Sequence, residues 1–211
     1  MDISKYYVDH VHFFCFFRLF SILRFNVRRF PVSLLVLALF LTACGGGDSG
    51  RVVCDQDYWD GTIGTCLPEN WFVVDSETLR QRGVPDDVVV AFQDEEPVSG
   101  QFPTVTITRE KLARPVSPSD YSNASIRSVE VLPGYEQLDT SDVRVADAGV
   151  RLHVFSAKPN ADEPQRRFYQ VSTVHGEYGY TITAASPLSV SKGIEDELKL
   201  ILKEVRFEEE A

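Results

Sequence analysis

The chain has 211 residues, 44% of them hydrophobic and 25% charged, with a formal net charge of −10 at pH 7. That length supports one or two domains. The acid excess argues against nucleic acid and anionic head groups as partners, since both call for a basic patch.

Residues 1–26 are rich in phenylalanine, but Arg18 and Arg24 interrupt the run, which is too charged for a clean membrane span. Counted from Met1, an export signal would exceed the usual ~15–30 residues. A start near Val27 supplies Val27-Arg28-Arg29 as a basic opening and residues 32–40 as the apolar stretch. The expectation is that residues 1–26 lie upstream of the true start. Phe30-Pro31 departs from the twin-arginine pattern, so the general secretory route is expected.

Leu41-Thr42-Ala43-Cys44 closes this stretch and reads as a lipoprotein processing site. The apolar run over 32–43 has 12 residues, whereas a spanning helix needs about 20. Cleavage before Cys44 and acylation of its sulfur, with palmitate-type chains, would therefore supply the membrane attachment. Each buried CH₂ contributes about 0.8 kcal/mol, so two or more chains hold stably. The alternative is an ordinary signal peptide with an incidental cysteine. The Gly-rich residues 45–50 form a flexible tether. The sequence thus divides into a signal segment over 1–43, a lipidated tether over 44–53 and one globular domain over 54–211. Losing the first segment removes Lys5, Arg18, Arg24, Arg28 and Arg29 but only Asp2 and Asp9, which moves the net charge to −13. Gly45 directly after Cys44, in place of Asp, permits transfer to the outer membrane in a two-membrane bacterium. With one membrane, the address is the outer face of the plasma membrane.

Of the four cysteines, Cys15 is discarded with the signal and Cys44 is acylated. Cys54 and Cys66 remain as a pair in an oxidising compartment, where a disulfide is expected. Two free buried thiols are the alternative. Between them, Asp55, Asp57 and Asp60 followed by Gly61 present clustered carboxylates of the kind a calcium loop uses. The spacing departs from that loop, because Tyr58-Trp59 intervenes and Glu69 lies beyond Cys66. A solvated acidic hairpin tip is the simpler reading, with Tyr58 and Trp59 covering one end of the core or forming a contact surface.

Beyond Cys66, Pro68 leads into a strand anchored by Trp71. A short helix follows over 77–82, capped by Asp75 or Ser76 and ended by Gly83. Val88-Val89-Val90-Ala91-Phe92 has the β-branched continuity of a central strand, and Thr104-Val105-Thr106-Ile107-Thr108 alternates, which buries one face. Ser117-Pro118 opens a helix whose Tyr121, Ala124, Ile126 and Val129 make a partly apolar face before Pro133-Gly134 stops it. Strands follow over 135–138, 142–145 and 150–155, then a hairpin of 168–174 and 178–184 about His175-Gly176-Glu177. Ile194, Leu198, Ile201 and Val205 recur at helical spacing, so a final helix lays an apolar stripe on the sheet. Arg206-Phe207 ends the ordered part, before a solvated tail of Glu208 to Glu210.

This order resembles the PsbP-like fold family, which includes DcrB-type bacterial lipoproteins. The resemblance is carried by Pro68 and Trp71, by Gly149-Val150-Arg151-Leu152, by Phe168-Tyr169-Gln170, by Tyr178-Gly179-Tyr180-Thr181-Ile182-Thr183, and by the last helix closed by Arg206-Phe207. It spans about residues 66–208. It implies an α+β fold, an antiparallel sheet of about six strands covered by two or three helices, and a binding or assembly role. It carries over no catalytic residue.

Nor do the residues assemble a reaction centre. No Gly-x-Ser-x-Gly elbow, phosphate-cradling glycine loop or zinc-type Cys/His spacing occurs. His153, mid-strand, and His175, in a turn, read as surface residues. The expectation is a non-enzymatic, cofactor-free, membrane-anchored lipoprotein of the cell envelope. Its partner is another envelope protein met through Tyr58 and Trp59. The rival reading is a small-molecule or metal-handling accessory protein with a pocket between helix and sheet near Tyr169, Tyr178 and Tyr180.

Overall fold

The computed structural model describes residues 52–208. The signal segment, Cys15, Cys44, most of the tether and Glu209-Glu210 lie outside the described residues.

A hairpin comes first, β1 (Gln56–Trp59) and β2 (Ile63–Leu67), followed by β3 (Trp71–Val74) and the short helix α1 (Ser76–Gln81). Then come β4 (Val88–Asp94), β5 (Thr104–Lys111) and α2 (Pro118–Val129). Four long strands follow: β6 (Glu136–Val145), β7 (Ala148–Ala157), β8 (Arg166–His175) and β9 (Tyr178–Pro187). The helix α3 (Lys192–Lys203) and β10 (Arg206–Phe207) close the described chain.

Seven strands form one antiparallel sheet in the order β3-β4-β5-β9-β8-β7-β6, and β1-β2-β10 form a smaller one. The α+β class is the one expected, with seven strands in the main sheet where the sequence suggested about six. The strand expected from Trp71 is β3, which joins the main sheet by pairing with β4 through Trp71↔Asp94 to Val74↔Ala91.

Local chemistry sets the helix ends. The Ser117 side chain accepts the Asp120 N–H, with Pro118 in the first turn, and Ser191 accepts the Ile194 N–H in the same way. These bonds satisfy donors that a helix N-terminus otherwise leaves unpaired.

Period-two alternation then sorts the sheet into two unlike faces. On one face, Val105 and Ile107 of β5, Ile182 of β9, Val171 of β8 and Leu152 of β7 are buried with Leu198, Ile201 and Leu202 of α3. The smaller sheet joins this layer, and the Thr65 hydroxyl of β2 donates to the Ile201 carbonyl at 2.7 Å. On the other face lie Thr106, Thr108, Gln170, Ser172, Thr181 and Thr183, and α2 packs there against β7 and β8.

The residues under α2 correct one expectation. Tyr121, Ile126 and Val129 are half-buried and Ala124 is exposed, while the buried residue of the helix is Ser122, 2% exposed. A helix that covers hydroxyls can approach through small polar side chains, so Ser122 and Ser125 turn inward. Three further differences follow from pairing and packing. The strands expected over 135–138 and 142–145 are one strand, β6, with a bulge between Gln137 and Asp139. Arg206-Phe207 is a strand, held by Arg206↔Gly64 and Phe207↔Ile63. His153 is buried, 1% exposed, because Tyr135 and Phe155 pack against its ring.

Candidate functional site

Two places gather the residues that the sequence singled out, and a third is a polar cavity under α2. The first place is the acidic hairpin. Cys54 and Cys66 are joined by a disulfide, with Cα atoms 5.4 Å apart. Asp60 closes the tip, its carboxylate accepting from the Thr62 and Ile63 N–H groups at 2.7 and 2.8 Å, while Gly61 takes φ +100°. Left-handed backbone of this kind is what glycine allows. Asp57 pairs with Arg206, and Asp55 is exposed. Asp57 and Asp60 are thus put to separate uses, and among the described residues no three acidic, histidine or cysteine side chains converge on a cation position.

Tyr58 turns inward, edge-on to Phe92 at 5.1 Å between ring centroids. Trp59 stays 44% exposed, with the Arg206 guanidinium 5.6 Å from its ring. Both lie over Gly64, where a Cβ would come within 2.6 Å of the Trp59 ring and 2.9 Å of the Arg206 Cζ. Tyr58 therefore covers the core, and Trp59 is the aromatic surface that remains.

The second place is the tyrosine group. Tyr169 and Tyr180 are 0% and 2% exposed and belong to the core under α3, and Tyr178 lies beneath the Arg109 guanidinium at 5.0 Å. None of the three lines the cavity between helix and sheet. That cavity is on the opposite face, under α2, because one residue's shift along a strand reverses the side chain's direction.

The cavity measures about 450 Å³ and is lined by Thr108 and Glu110 of β5, Gln170 of β8, Thr181 of β9, and Tyr121, Ser125 and Ser128 of α2, with Asp87 before β4. Its size falls within the ~300–1,000 Å³ of small-molecule sites, but its walls are far more polar than most. Tyr121 spans the opening and donates to Glu110 Oε1 at 2.8 Å. Its ring lies over Gly179, where any Cβ would overlap it. Burial, the main cause, pushes the Tyr121 hydroxyl up to about 12; Thr181 pulls it down and Glu110 adds to the rise. Tyr121 therefore stays a protonated donor at neutral pH. Beneath it, Ser172 Oγ donates to Ser125 Oγ at 2.8 Å and lies 3.1 Å from Thr181 Oγ1. Gln170 is 6% exposed, and its Oε1 has no hydrogen-bond partner among the described residues. Such an orphaned buried acceptor costs on the order of 1–3 kcal/mol, so the site carries an unmet demand for a donor.

Further along the same face, His153 Nε2 is 3.1 Å from the Tyr135 hydroxyl, and its ring stacks on Phe155 at 5.0 Å, which stacks on Phe168 at 5.1 Å. Burial lowers the His153 pKa, with Glu130 acting the other way. In the unfolded chain the imidazole takes its proton near pH ~6.5, and the folded protein resists it. The unfolded state therefore binds more protons below that pH, and stability is lost as pH falls through it. Urea midpoints for the wild type and His153→Gln at pH 8 and pH 5.5 are expected to show the larger drop in the wild type; equal drops would remove His153 from the pH response.

No family model matches the chain, and no curated protein matches it in sequence. Solved structures do. LpqN of Mycobacterium tuberculosis, described as involved in cell envelope biogenesis, matches with TM-score 0.53 and 14% identity over 72% of this chain and 89% of that one. The cyanobacterial PsbP (CyanoP) of Synechocystis sp. PCC 6803 matches with TM-score 0.49 and 13% identity over 80% of this chain and 99% of that one. At such identity the likeness to LpqN is one of fold alone. The order of elements, from Trp71 through the antiparallel sheet to α3 and Arg206-Phe207, makes the α+β fold expected from the sequence, and it is the fold of LpqN that the chain shares.

Proposed function

We propose that the protein is a lipid-anchored binding module of the cell envelope, without catalysis of its own, whose ligand enters the polar cavity under α2. The observation that carries this reading is the buried Gln170 amide, whose oxygen is left without a partner in a cavity of about 450 Å³. Other side chains, Tyr169 and Thr173 among them, also carry unpaired buried polar atoms, but of these residues Gln170 is the one that lines the cavity. The hydroxyls around it bond to one another and not to an imidazole, since His153 is engaged by Tyr135. This supports binding over nucleophilic chemistry, which needs a base beside the hydroxyl. The envelope address rests on the Leu41-Thr42-Ala43-Cys44 pattern, and the fold shared with LpqN, itself involved in cell envelope biogenesis, supports it.

The anchor is tested with Cys44→Ser. The wild type is expected in the detergent phase and the membrane pellet, with residues 1–43 removed. The variant is expected to be unprocessed and to lose its acyl chains. Unchanged processing and partitioning would overturn the anchor. Among the described residues no helix is long and apolar enough to cross a membrane.

A second reading, assembly with another envelope protein, is favoured by one observation, the exposed Trp59 on an acidic hairpin. Crosslinking from a photoreactive residue at position 59 in intact envelopes tests it. A single abundant adduct would support it, and adducts no different from those at exposed Val131 would oppose it.

A further inference from the structure

We infer that the cavity under α2 takes a small cationic ligand, a primary ammonium that brings further hydrogen-bond donors with it. The inference rests on the small-molecule reading above and adds the chemical class.

The hydroxyl protons of the lining are mostly spent on the protein itself. Thr108 Oγ1 donates to the Thr181 carbonyl at 3.3 Å, Ser128 Oγ to the Ser125 carbonyl at 2.7 Å, and the Tyr121 hydroxyl to Glu110 at 2.8 Å. A hydroxyl that has given its proton still offers lone pairs, so what these groups present to a ligand is acceptors. Gln170 Oε1 is another acceptor, buried and unpaired.

The charge agrees. Asp87 and Glu110 are exposed at the cavity's mouth and are acceptors only. Arg109 also borders the cavity, but its strand partner is Tyr180 on the core face, and its guanidinium lies 5.0 Å over the Tyr178 ring. Its charge is therefore turned to the far side of the sheet. An anion would meet two carboxylates, while Arg109, the one cation of the lining among the described residues, is engaged with Tyr178. An apolar ligand would strip water from Gln170 and the hydroxyls and return nothing. A protonated amine satisfies the carboxylates, and its neighbouring N–H or O–H groups satisfy the floor.

Two kinds of molecule carry this chemistry, an amino sugar and a linear polyamine. Nitrogen-15-labelled full-length protein, titrated with glucosamine, spermidine, N-acetylglucosamine and citrate, distinguishes them. One or both amines are expected to move the amide resonances of Thr108, Ser125, Gln170 and Thr181, with N-acetylglucosamine at least tenfold weaker and citrate inert. Glu110→Gln, at an exposed position whose loss does not threaten folding, is expected to weaken the amines at least tenfold, and Tyr121→Phe serves as the second variant. Glucosamine binding alone assigns the amino sugar, and spermidine alone the polyamine. N-acetylglucosamine or citrate binding as tightly as the amines, with Glu110→Gln without effect, overturns the ligand class and leaves the cavity a small-molecule site. No response at these amides to any of the four probes overturns the small-molecule reading itself.

Discussion

Trp71→Ala is expected to destabilise the domain by about 3–5 kcal/mol, which for a domain of this size lowers Tm on the order of 10 °C. Trp71 is 1% exposed, the largest of the fully buried side chains, and sits at the start of β3, the edge strand of the main sheet. Its Nε1–H donates to Glu197 Oε2 of α3 at 3.0 Å, so one ring joins the sheet edge to the helix that covers the core. Removing it empties a volume that neighbours refill only in part. It also leaves Glu197 without its donor. Burial already pushes the Glu197 pKa up, the Trp71 bond pulls it down, and the nearby Asp94 pushes it up again. Trp71→Phe separates the two contributions, since it keeps most of the volume and loses the bond. Thermal unfolding should rank wild type above Trp71→Phe above Trp71→Ala. A Trp71→Ala protein with unchanged Tm would show that the ring is not a core anchor.

Removing the disulfide is expected to cost about 3 kcal/mol, chiefly because the bridge restricts the unfolded chain. Its structural setting explains why the folded state depends on it too. The strand β1 pairs only with β2, from Gln56↔Leu67 to Trp59↔Gly64, and Cys54 stands just before the first of these pairs. As an edge strand of the smaller sheet, β1 has β2 as its single ladder partner, and a hairpin held on one side alone is marginally stable. Freed of the bridge, β1 loses its hold at one end. Tyr58 then loses its place on Phe92, and Arg206 loses Asp57. Urea unfolding of the Cys54→Ala/Cys66→Ala double variant should show a lower midpoint, with hydrogen exchange fastest at residues 55–60. Equal midpoints would mean that the hairpin is held by packing alone.

Much of the fold could be read from the residues because the signals were local. The Ser117-Pro118 and Asp75 helix starts, the alternation of β5, the turn at Gly176 and the 3.6-residue stripe of α3 each depend on neighbours a few positions away. What escaped was decided at a distance. The sequence contains Thr104-x-Thr106-x-Thr108 and Thr181-x-Thr183, and this alternation marked a polar face. It did not say that a helix would cover it. The partly apolar face expected of α2 follows from helical spacing alone, which is blind to what the helix covers. The tyrosines misled for the same reason. Register puts Tyr169 and Tyr180 against α3 and Thr181 and Gln170 against α2.

By itself, the sequence determined the α+β class, the helix caps, the Cys54–Cys66 pairing and the expectation of an anchor at Cys44, because each follows from residue types at short spacing. Tertiary structure alone decided that His153 is buried, that Arg206 serves Asp57 and Trp59, and that Gln170 is enclosed with its oxygen unmet. The physical reason is that burial and hydrogen-bond satisfaction belong to pairs of groups, and the partners here lie tens of residues apart on strands that only the folded sheet makes adjacent.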